Sequence, residues 1–206
     1  GLKEDTIKDF RIGFSSPEWR DLFDYLTERS VSVQDMLEVG LIKHPSTSLR
    51  TGNENAREKY YDTFRGRIMF PINDSAGRVV GFSGRILIPD EKSPKYLNSP
   101  ETSLFNKSEI LFGFDKAKKY IKSEGCSILV EGQMDLVMLH QVGVTNTVAS
   151  SGTALTARHL VRLQGFSNPI VMVFDGDSAG FLASNKSASI ALSLGICIVT
   201  ITGITP

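Results

Sequence analysis

The most regular pattern in the chain is the alternation of short apolar runs with helical stretches after residue 126. Four apolar runs are rich in β-branched residues: 127–130, 147–150, 170–174 and 196–201. Three stretches with helical spacing separate them: about 133–141, 155–164 and 179–194. Strands and helices in strict alternation predict a parallel sheet that is covered by helices on both faces.

The first 42 residues predict short helices. Apolar residues recur at i, i+3, i+4 and i+7 between Glu18 and Arg29, and this spacing predicts a helix with one apolar face. The apolar positions are Trp19, Leu22, Phe23 and Leu26. A weaker repeat predicts a second helix over 33–39, which ends at Gly40.

The middle of the chain predicts a hairpin between loops. Two strand-like runs, 67–72 and 78–88, flank the turn signal at 73–77. Polar residues at 44–55 and a segment rich in Pro, Ser and Asn at 89–107 predict loops. A helix is predicted over 110–122. We therefore expect two domains, a basic α+β subdomain at 1–122 and a parallel-sheet domain at 123–206, in an α/β chain.

Composition narrows the class of protein. The 206 residues are 41% hydrophobic and 22% charged, which is typical of a globular protein and excludes a disordered or disulfide-scaffold class. No apolar run reaches about 18 residues, so we expect no membrane partner. The two cysteines and three histidines show no metal-ligand spacing, so we expect no zinc site.

The net charge of zero hides a strong division along the chain. Counted by region, residues 1–42 carry 5 basic and 9 acidic groups, 43–122 carry 15 and 9, and 123–206 carry 3 and 5. The middle region is therefore basic, as a nucleic-acid surface requires. Its basic residues beside Gly, Pro, Asn and aromatic positions are candidates to bind phosphate: Arg65, Arg67, Arg85, Lys95 and Lys107.

Acidic residues follow two of the predicted parallel strands. The first strand leads into EGQMD at 131–135, and the third leads into DGDSAG at 175–180. Ligands bind beyond the carboxyl ends of such strands. Carboxylates that converge without Lys or Arg between them favour a hard divalent cation such as Mg²⁺. Glu131, Asp175 and Asp177 are therefore the predicted metal ligands.

Two neighbouring features have two interpretations each. Asp135 is either a further metal contact or a negative charge in the first turn of a helix, where it favours the helix dipole. Residues 150–153 either let the backbone approach a phosphate or form a tight turn with a Thr cap.

The motifs together resemble known families. The strand-end motifs at 131–135 and 175–180 resemble the Toprim domain that primases, topoisomerases and several nucleases share. Upstream, YDTFRGRIMFPI at 61–72 and above all PKYLNSPET at 94–102 are similar to the RNA-polymerase domain of bacterial DnaG-type primases. The resemblance runs from residue 1 to about residue 200.

This resemblance implies a DNA primase, a nucleotidyltransferase and DNA-directed RNA polymerase that makes short RNA primers during DNA replication. It implies Mg²⁺ or Mn²⁺ as cofactor, held by Glu131, Asp175 and Asp177 as the catalytic acids. Its partners would be single-stranded DNA template, ribonucleoside triphosphates and the RNA primer. The replicative helicase would bind through a domain that this chain lacks, in the bacterial cytoplasm at the replication fork. Arg85, Lys95, Asn98 and Lys107 match the family's basic and polar face. Stacking surface for bases could come from Phe82, Tyr96 and Phe105, although core packing explains Phe82 and Phe105 equally well.

The chain departs from the family pattern in ways that keep alternatives open. It lacks the family's zinc-binding module, a third acidic cluster and a helical tail, so we expect a Toprim domain truncated at its C-terminal end. A catalytic-core fragment is then one hypothesis. The others are a nuclease or topoisomerase subunit, and a fragment that binds single-stranded DNA or nucleotide without chemistry.

Overall fold

The structure is a computed structural model that describes residues 1–44, 60–89, 93–151 and 154–204. It divides into two compact units. The first unit consists of residues 1–11, 71–80 and 106–206, and the second consists of 12–70 and 81–105. From residue 45 onward, the loop predicted over 44–55 lies outside the described residues.

The helices and strands follow one another in chain order as listed here. The helices are α1 Glu4–Asp9, α2 Asp21–Glu28, α3 Val33–Glu38, α4 Phe114–Glu124, α5 Gln133–Gln141, α6 Ala157–Gln164 and α7 Ser178–Ser193. The strands are β1 Gly13–Ser15, β2 Ile42–Lys43, β3 Tyr61–Asp62, β4 Arg67–Asn73, β5 Val79–Ile86, β6 Tyr96–Asn98, β7 Ser127–Val130, β8 Thr147–Ala149, β9 Ile170–Asp175 and β10 Ile198–Ile204.

The first unit contains the predicted parallel sheet, with strand order β10-β9-β7-β8. Every neighbouring pair in it is parallel. The chain moves outward from β7 to β8 and then back across β7 to β9. Because such crossovers are right-handed, α5 and α6 lie on opposite faces of the sheet. The prediction of an α/β fold with helices on both faces is confirmed.

The core of this unit is built from buried apolar side chains. Leu129 and Met172 from the strands are completely buried, as are Leu160 from α6 and Ile121 from α4. Burial of each large aliphatic side chain stabilises the fold by roughly 1.5–3 kcal/mol relative to leaving that side chain exposed. The sheet therefore holds its strand ends in fixed relative positions.

The second unit contains most of the sheet β1-β4-β5-β6, of which residues 71–80 belong to the first unit, and the two-stranded sheet β2-β3. The predicted hairpin is present as β4 and β5. Its turn is held by Asp74, whose carboxylate accepts backbone hydrogen bonds from Ala76 and Arg78 at 2.9 and 3.0 Å. A separate small core of Phe23, Met36 and Ile42 joins α2 and α3 to β2.

Strands β1, β2 and β3 were not predicted from the sequence, and three further elements differ from the expectation. Helix α2 begins at Asp21 rather than Glu18, which leaves Trp19 outside the helix and 60% exposed. Strand β6 forms within the segment that was expected to be a loop, through antiparallel pairing with β5. Helix α4 begins at Phe114 rather than Ile110, because Phe112 pairs with Ala149 at the edge of β8.

Candidate metal and nucleic-acid site

The two acidic strand ends meet at one edge of the parallel sheet. β7 and β9 are paired in parallel. Glu131, which directly follows β7, therefore lies next to the end of β9. The backbone N–H of Asp175 donates a hydrogen bond to Oε1 of Glu131 at 3.1 Å, over a separation of 44 residues in sequence. This bond links the two acidic motifs directly.

Negative charge converges on Glu131. Burial raises the pKa of the Glu131 carboxyl above its usual value, and the Asp175 N–H bond partly offsets that effect. The charges of Asp175, Asp177 and Asp135 raise the pKa further. Asp175 and Asp177 are exposed, and Glu131 is half-buried. The edge is thus an accessible concentration of carboxylate oxygens.

Gly180 allows the two motifs to approach each other. A Cβ atom at this position would lie 2.3 Å from the carbonyl oxygen of Asp175 and 3.0 Å from Oε1 of Glu131. Real Cβ atoms do not make contacts this short to a backbone oxygen. The start of α7 can therefore lie against the Glu131–Asp175 contact only because residue 180 has no side chain.

Two of the carboxylates also cap helices. Oδ1 of Asp177 accepts the backbone N–H of Gly180 at 2.7 Å, as an N-cap of α7. Oδ2 of Asp135 accepts the backbone N–H of Gly132 at 3.1 Å at the start of α5. Asp135 thus lies in the first turn of α5, where its charge favours the helix dipole, and a metal contact of Asp135 stays a prediction.

Ser150 and Ser151 support Glu131 from the neighbouring strand. The backbone N–H of Ser151 donates to the carbonyl oxygen of Glu131 at 3.1 Å, and that of Ser150 donates to Val130 at 3.2 Å. Ser151 is buried and has a φ of 59°, which is unusual for a residue with a side chain. Residues 150–151 therefore fix the end of β7. Residues 152–153 lie outside the described part of the chain.

The donor chemistry of this edge fits a hard cation, because every candidate ligand is a carboxylate oxygen. Within residues 1–44, 60–89, 93–151 and 154–204, no three His, Cys, Asp or Glu side chains are placed to hold an ion together. Mg²⁺ sites commonly use one or two carboxylates and complete the shell with water and substrate phosphate. The acids fit that open type of site rather than a closed protein cage.

Five of the six predicted basic and polar residues belong to the second unit, and Lys107 belongs to the first. Among the five, Arg67 is buried at 5% exposure. Its Nη1 donates to the carbonyl oxygens of Gly84 and Pro94, each at 3.0 Å. Burial, followed by the charge of Arg65, lowers the pKa of Arg67 from its usual value. Arg67 thus fastens the segment before β6 to β5.

Arg85 and Lys95 directly follow Gly84 and Pro94, the residues that Arg67 contacts. Together with Ser93 they line a cleft of about 390 Å³. Arg85 is paired across the sheet with Tyr96, and its guanidinium carbon lies 5.8 Å from the centre of the Tyr96 ring. Cross-strand pairing and strand alternation place Asn98 on the same face of the sheet as Arg85 and Tyr96. The cleft therefore presents two cations, Arg85 and Lys95, whereas Asn98 and Tyr96 lie on the Arg85 face of the sheet without lining the cleft.

The aromatic candidates differ in exposure. Phe105 is buried at 4%, and a Cβ on Gly81 would meet its ring at 3.1 Å, so this ring fills the core rather than offering a stacking surface. Phe82 and Tyr96 are half-buried. Arg65 lies elsewhere, over the rings of Trp19 and Tyr61 at 4.2 and 5.2 Å.

Sequence reasoning missed the contacts that support both sites. Gly180 lies in the DGDSAG motif and Ser151 in the segment 150–153 that was singled out, but neither pattern indicated their contacts with Glu131. The buried state of Arg67 was also missed, although its place inside an apolar strand between Gly66 and Ile68 is a signal that could have indicated it.

Comparison with known proteins agrees with this geometry. The parallel sheet with acids at its strand ends defines a Toprim-containing protein, and a Toprim domain model matches residues 125–202. A model described as "DNA primase catalytic core, N-terminal domain" matches residues 1–118. The chain belongs to the DNA primase catalytic-core family.

Individual relatives support the same assignment. The DNA primase of Deinococcus radiodurans is 44% identical over 185 residues, which are 89% of this chain and 30% of that protein. The Aquifex aeolicus primase structure of the zinc-binding and RNA polymerase domains matches with a TM-score of 0.85 and 36% identity, over 98% of this chain and 47% of that one. A DnaG primase catalytic domain bound to single-stranded DNA matches with a TM-score of 0.83 and 35% identity, over 98% of this chain and 63% of that one. The chain therefore spans about a third of the length of the first relative.

No helix among the described residues is long and apolar enough to span a bilayer.

Proposed function

We propose that this chain is the catalytic-core part of a DNA primase, which joins ribonucleotides into a short RNA primer on a single-stranded DNA template. The observation that carries the proposal is the 3.1 Å hydrogen bond between Asp175 and Glu131, in a chain of the primase family. It brings the acids of two strand ends to one edge. The match to the primase N-terminal domain favours this function over a nuclease or topoisomerase.

In this proposal Glu131, Asp175 and Asp177 hold Mg²⁺ or Mn²⁺. When bound, the ion would activate the attacking 3′-hydroxyl and stabilise charge on the triphosphate. The chain's own residues orient the carboxylates that would bind the ion: the Asp175 N–H orients Glu131, and the Gly180 N–H orients Asp177. Carboxylates that are already oriented need little reorganisation when the ion and the triphosphate bind.

The second unit supplies the positive charge. Arg85 and Lys95 would hold phosphate groups of the template or of the incoming ribonucleoside triphosphate in their cleft. Asn98, on the Arg85 face of the same sheet, would add a neutral donor. Arg67 would keep this cleft in shape through Gly84 and Pro94. Contact with the replicative helicase, and a place at the bacterial replication fork, would belong to a longer primase protein.

Metal binding can be tested on the chain itself with Mn²⁺, followed by electron paramagnetic resonance. Glu131→Gln and Asp175→Asn should each weaken Mn²⁺ binding by about tenfold or more. Glu124→Gln is the matched control, because Glu124 is an exposed acid at the end of α4, away from the edge. Unchanged Mn²⁺ binding in both edge variants would refute the assignment of the metal ligands.

Primer synthesis is best measured in a full-length relative, with the same substitutions at the matching positions. We expect both to abolish incorporation of labelled ribonucleotides on a single-stranded template while the protein stays folded. Intact synthesis in both variants would exclude the proposed mechanism. Strand cleavage without incorporation would instead support the nuclease hypothesis.

Phosphate binding is tested separately. Arg85→Ala and Lys95→Ala should each weaken binding of the chain to single-stranded DNA and lower its salt dependence. Lys122→Ala, on an exposed residue of α4, is the control. If chemistry is absent in the full-length test but this salt-dependent binding persists, the fragment acts as a binding module.

A further inference from the structure

Lys107 differs from the other predicted basic residues because it belongs to the first unit, together with the acidic strand ends. It is half-buried and lies in the segment 106–110, between β6 and α4. The carbonyl oxygen of Asn106 accepts the backbone N–H of Ile110 at 3.1 Å, which closes the segment into a turn. We name residues 106–110 the Lys107 turn. The position of Lys107 therefore depends on what holds this turn.

The start of α6 holds the Lys107 turn through side chains. Oγ1 of Thr156 donates a hydrogen bond to the carbonyl oxygen of Ser108 at 2.6 Å. Arg158 donates to the carboxylate of Glu109 at the surface. The same Oγ1 of Thr156 accepts the backbone N–H of His159 at 3.3 Å and so caps α6. One hydroxyl group thus joins the cap of the helix to the turn.

His159 fixes Thr156 from inside the core. Its side chain is completely buried, and Nδ1 accepts the backbone N–H of Thr156 at 3.3 Å. Burial lowers the pKa of His159 to about 4, although the carbonyl oxygens of Lys107 and Ile110 act against this effect as hydrogen-bond acceptors. The ring is therefore neutral at pH 7. Among the described residues Nε2 has no hydrogen bond of ordinary geometry, so the firm contacts of His159 are those to Thr156.

The start of α6 lies at the same end of the parallel sheet as the acids. In a parallel sheet, the helix that follows a strand begins at the carboxyl end of that strand. α6 follows β8, and β8 is paired in parallel with β7, whose carboxyl end leads to Glu131. Just after the turn, Phe112 pairs with Ala149, the last residue of β8. The Lys107 turn is thus held at the carboxyl end of the sheet on both sides.

We propose that Thr156 and His159 are positioning residues for Lys107, which they hold at the carboxyl end of the sheet to meet a phosphate of the ribonucleoside triphosphate. This inference rests on the proposed function, because the triphosphate is the ligand that Lys107 would contact. A lysine side chain loses much rotamer freedom when it binds. A backbone that is already fixed leaves less freedom to lose, which strengthens binding without a new contact.

The first test measures binding of adenosine triphosphate to the chain in the presence of Mn²⁺, by isothermal titration calorimetry. Lys107→Ala should weaken binding about tenfold, because a hydrogen bond from a charged group is lost. Thr156→Val removes the hydroxyl group and should weaken binding about fivefold. Thr156→Ser keeps the hydroxyl group and should bind as the unmodified chain does. Circular dichroism checks that each variant is folded.

Double variants show whether the two residues act through Lys107. Thr156→Val combined with Lys107→Ala should bind within about twofold of Lys107→Ala alone, because a lysine that is absent cannot be misplaced. His159→Leu should behave as Thr156→Val does in both backgrounds.

A second histidine of the first unit provides a matched control. Nε2 of His140 contacts the carbonyl oxygen of Thr147 at 2.9 Å. His140 lies in the last turn of α5, and Thr147 is the first residue of β8, so this contact is at the amino end of the sheet. His140→Leu removes a buried polar contact of the same kind and should leave binding of adenosine triphosphate unchanged.

Hydrogen exchange followed by mass spectrometry measures the turn directly. Backbone amides of residues 106–110 should exchange about tenfold faster in Thr156→Val and at the original rate in Thr156→Ser. Unchanged exchange in Thr156→Val would show that its hydroxyl group does not hold the turn, and would overturn the inference.

The binding results separate the inference from the proposed function. If Thr156→Val and His159→Leu leave the affinity for adenosine triphosphate unchanged, or if their effects add to that of Lys107→Ala, the inference is wrong and the proposed function stands. If the unmodified chain does not bind adenosine triphosphate with Mn²⁺, the proposed triphosphate contact is wrong and the inference is wrong with it.

Discussion

The acidic edge of the parallel sheet contains Glu131, Asp175 and Asp177, and the basic face of the antiparallel sheet contains Arg67, Arg85 and Lys95. The two regions hold groups of opposite charge in comparable ways. Both gather like charges, which repel one another. At the acidic edge, backbone N–H groups hold the carboxylates, as Asp175 does for Glu131. At the basic face, backbone carbonyl oxygens hold the guanidinium groups, as Gly84 and Pro94 do for Arg67.

The two regions differ in what they leave exposed. Asp175 and Asp177 lie at the surface, whereas Arg67 is buried and Arg85 and Lys95 border a cleft. The acidic edge therefore leaves its charges accessible. At the basic face, one buried arginine contacts the backbone on both sides of the cleft, and the two cations that line the cleft are the residues proposed to bind phosphate. Variants in each region should show this difference.

The largest effect is expected from Gly180→Ala. The added Cβ would meet the carbonyl oxygen of Asp175 at 2.3 Å, so the start of α7 or the Glu131 contact must shift. We expect the free energy of unfolding to fall by about 3 kcal/mol, with Mn²⁺ binding lost. Urea unfolding measures the first effect. Gly165→Ala is the control, since its nearest neighbour would be 3.5 Å away; equal losses in the two variants would contradict the close-contact argument.

The next effect concerns pH and has opposite signs in the two units. In the first unit, burial lowers the pKa of His159 to about 4, from 6.5. The unfolded chain therefore binds more protons, and this contribution to stability is complete above pH 6.5 and is lost as the pH falls toward 4. We expect a loss of about 2 kcal/mol between pH 7 and 4.5. Urea unfolding of His159→Leu should lack this loss, whereas His44→Gln, on an exposed residue, should retain it.

In the second unit, burial raises the pKa of Asp62 above 3.8, against the lowering effect of its two backbone hydrogen bonds. The contribution of Asp62 to the free energy of unfolding is therefore present below pH 3.8 and is lost as the pH rises through the folded-state pKa of Asp62. Acidification should thus weaken the first unit through His159 and favour the second through Asp62. If His159→Leu showed the same acid loss as the unmodified chain, the His159 contribution would be disproved.

A smaller effect is expected from Arg67→Lys. Lysine keeps the charge, but its compact ammonium group does not reproduce the planar fork that reaches the carbonyl oxygens of Gly84 and Pro94. We expect unfolding to become easier by about 1–2 kcal/mol, since each buried acceptor left unpaired is costly. Arg78→Lys is the control because Arg78 is exposed and pairs with Asp74 at the surface. Equal stability of the two variants would indicate that Arg67 does not fasten the cleft.

The smallest effect should come from Asp135→Asn. An amide oxygen can replace the carboxylate as acceptor for the Gly132 N–H, so stability should change by less than about 0.5 kcal/mol. Mn²⁺ affinity should stay close to that of the unmodified chain, in contrast to Glu131→Gln. A loss of Mn²⁺ binding as large as that of Glu131→Gln would instead make Asp135 a metal ligand.

The sequence predicted the features that depend on local periodicity. The parallel sheet and the acids at its strand ends follow from apolar runs that alternate with helices, and each run in the structure lies close to its predicted position. The junction of Glu131 with Asp175 also follows, because parallel strands end at the same edge of a sheet.

The features that were missed depend on residues far apart in the chain. Strand β6 exists because Tyr96 and Asn98 pair with β5, despite a composition that favours a loop. Trp19 lies outside α2 because Asp62, some forty residues later, supplies the acceptors for the first turn of that helix. Helical spacing alone gave no indication of either contact.

The pairing of Phe112 with Ala149 also affects how the parallel sheet meets other molecules. β8 is the outermost strand on its side of the sheet. Phe112 exchanges two backbone hydrogen bonds with Ala149, at 2.9 and 3.1 Å, and so occupies polar groups that an uncovered strand would offer to a neighbouring chain. A three-residue strand closed in this way gives little opportunity for strand addition, so self-association through this border of the sheet is disfavoured by the same residue that delays the start of α4.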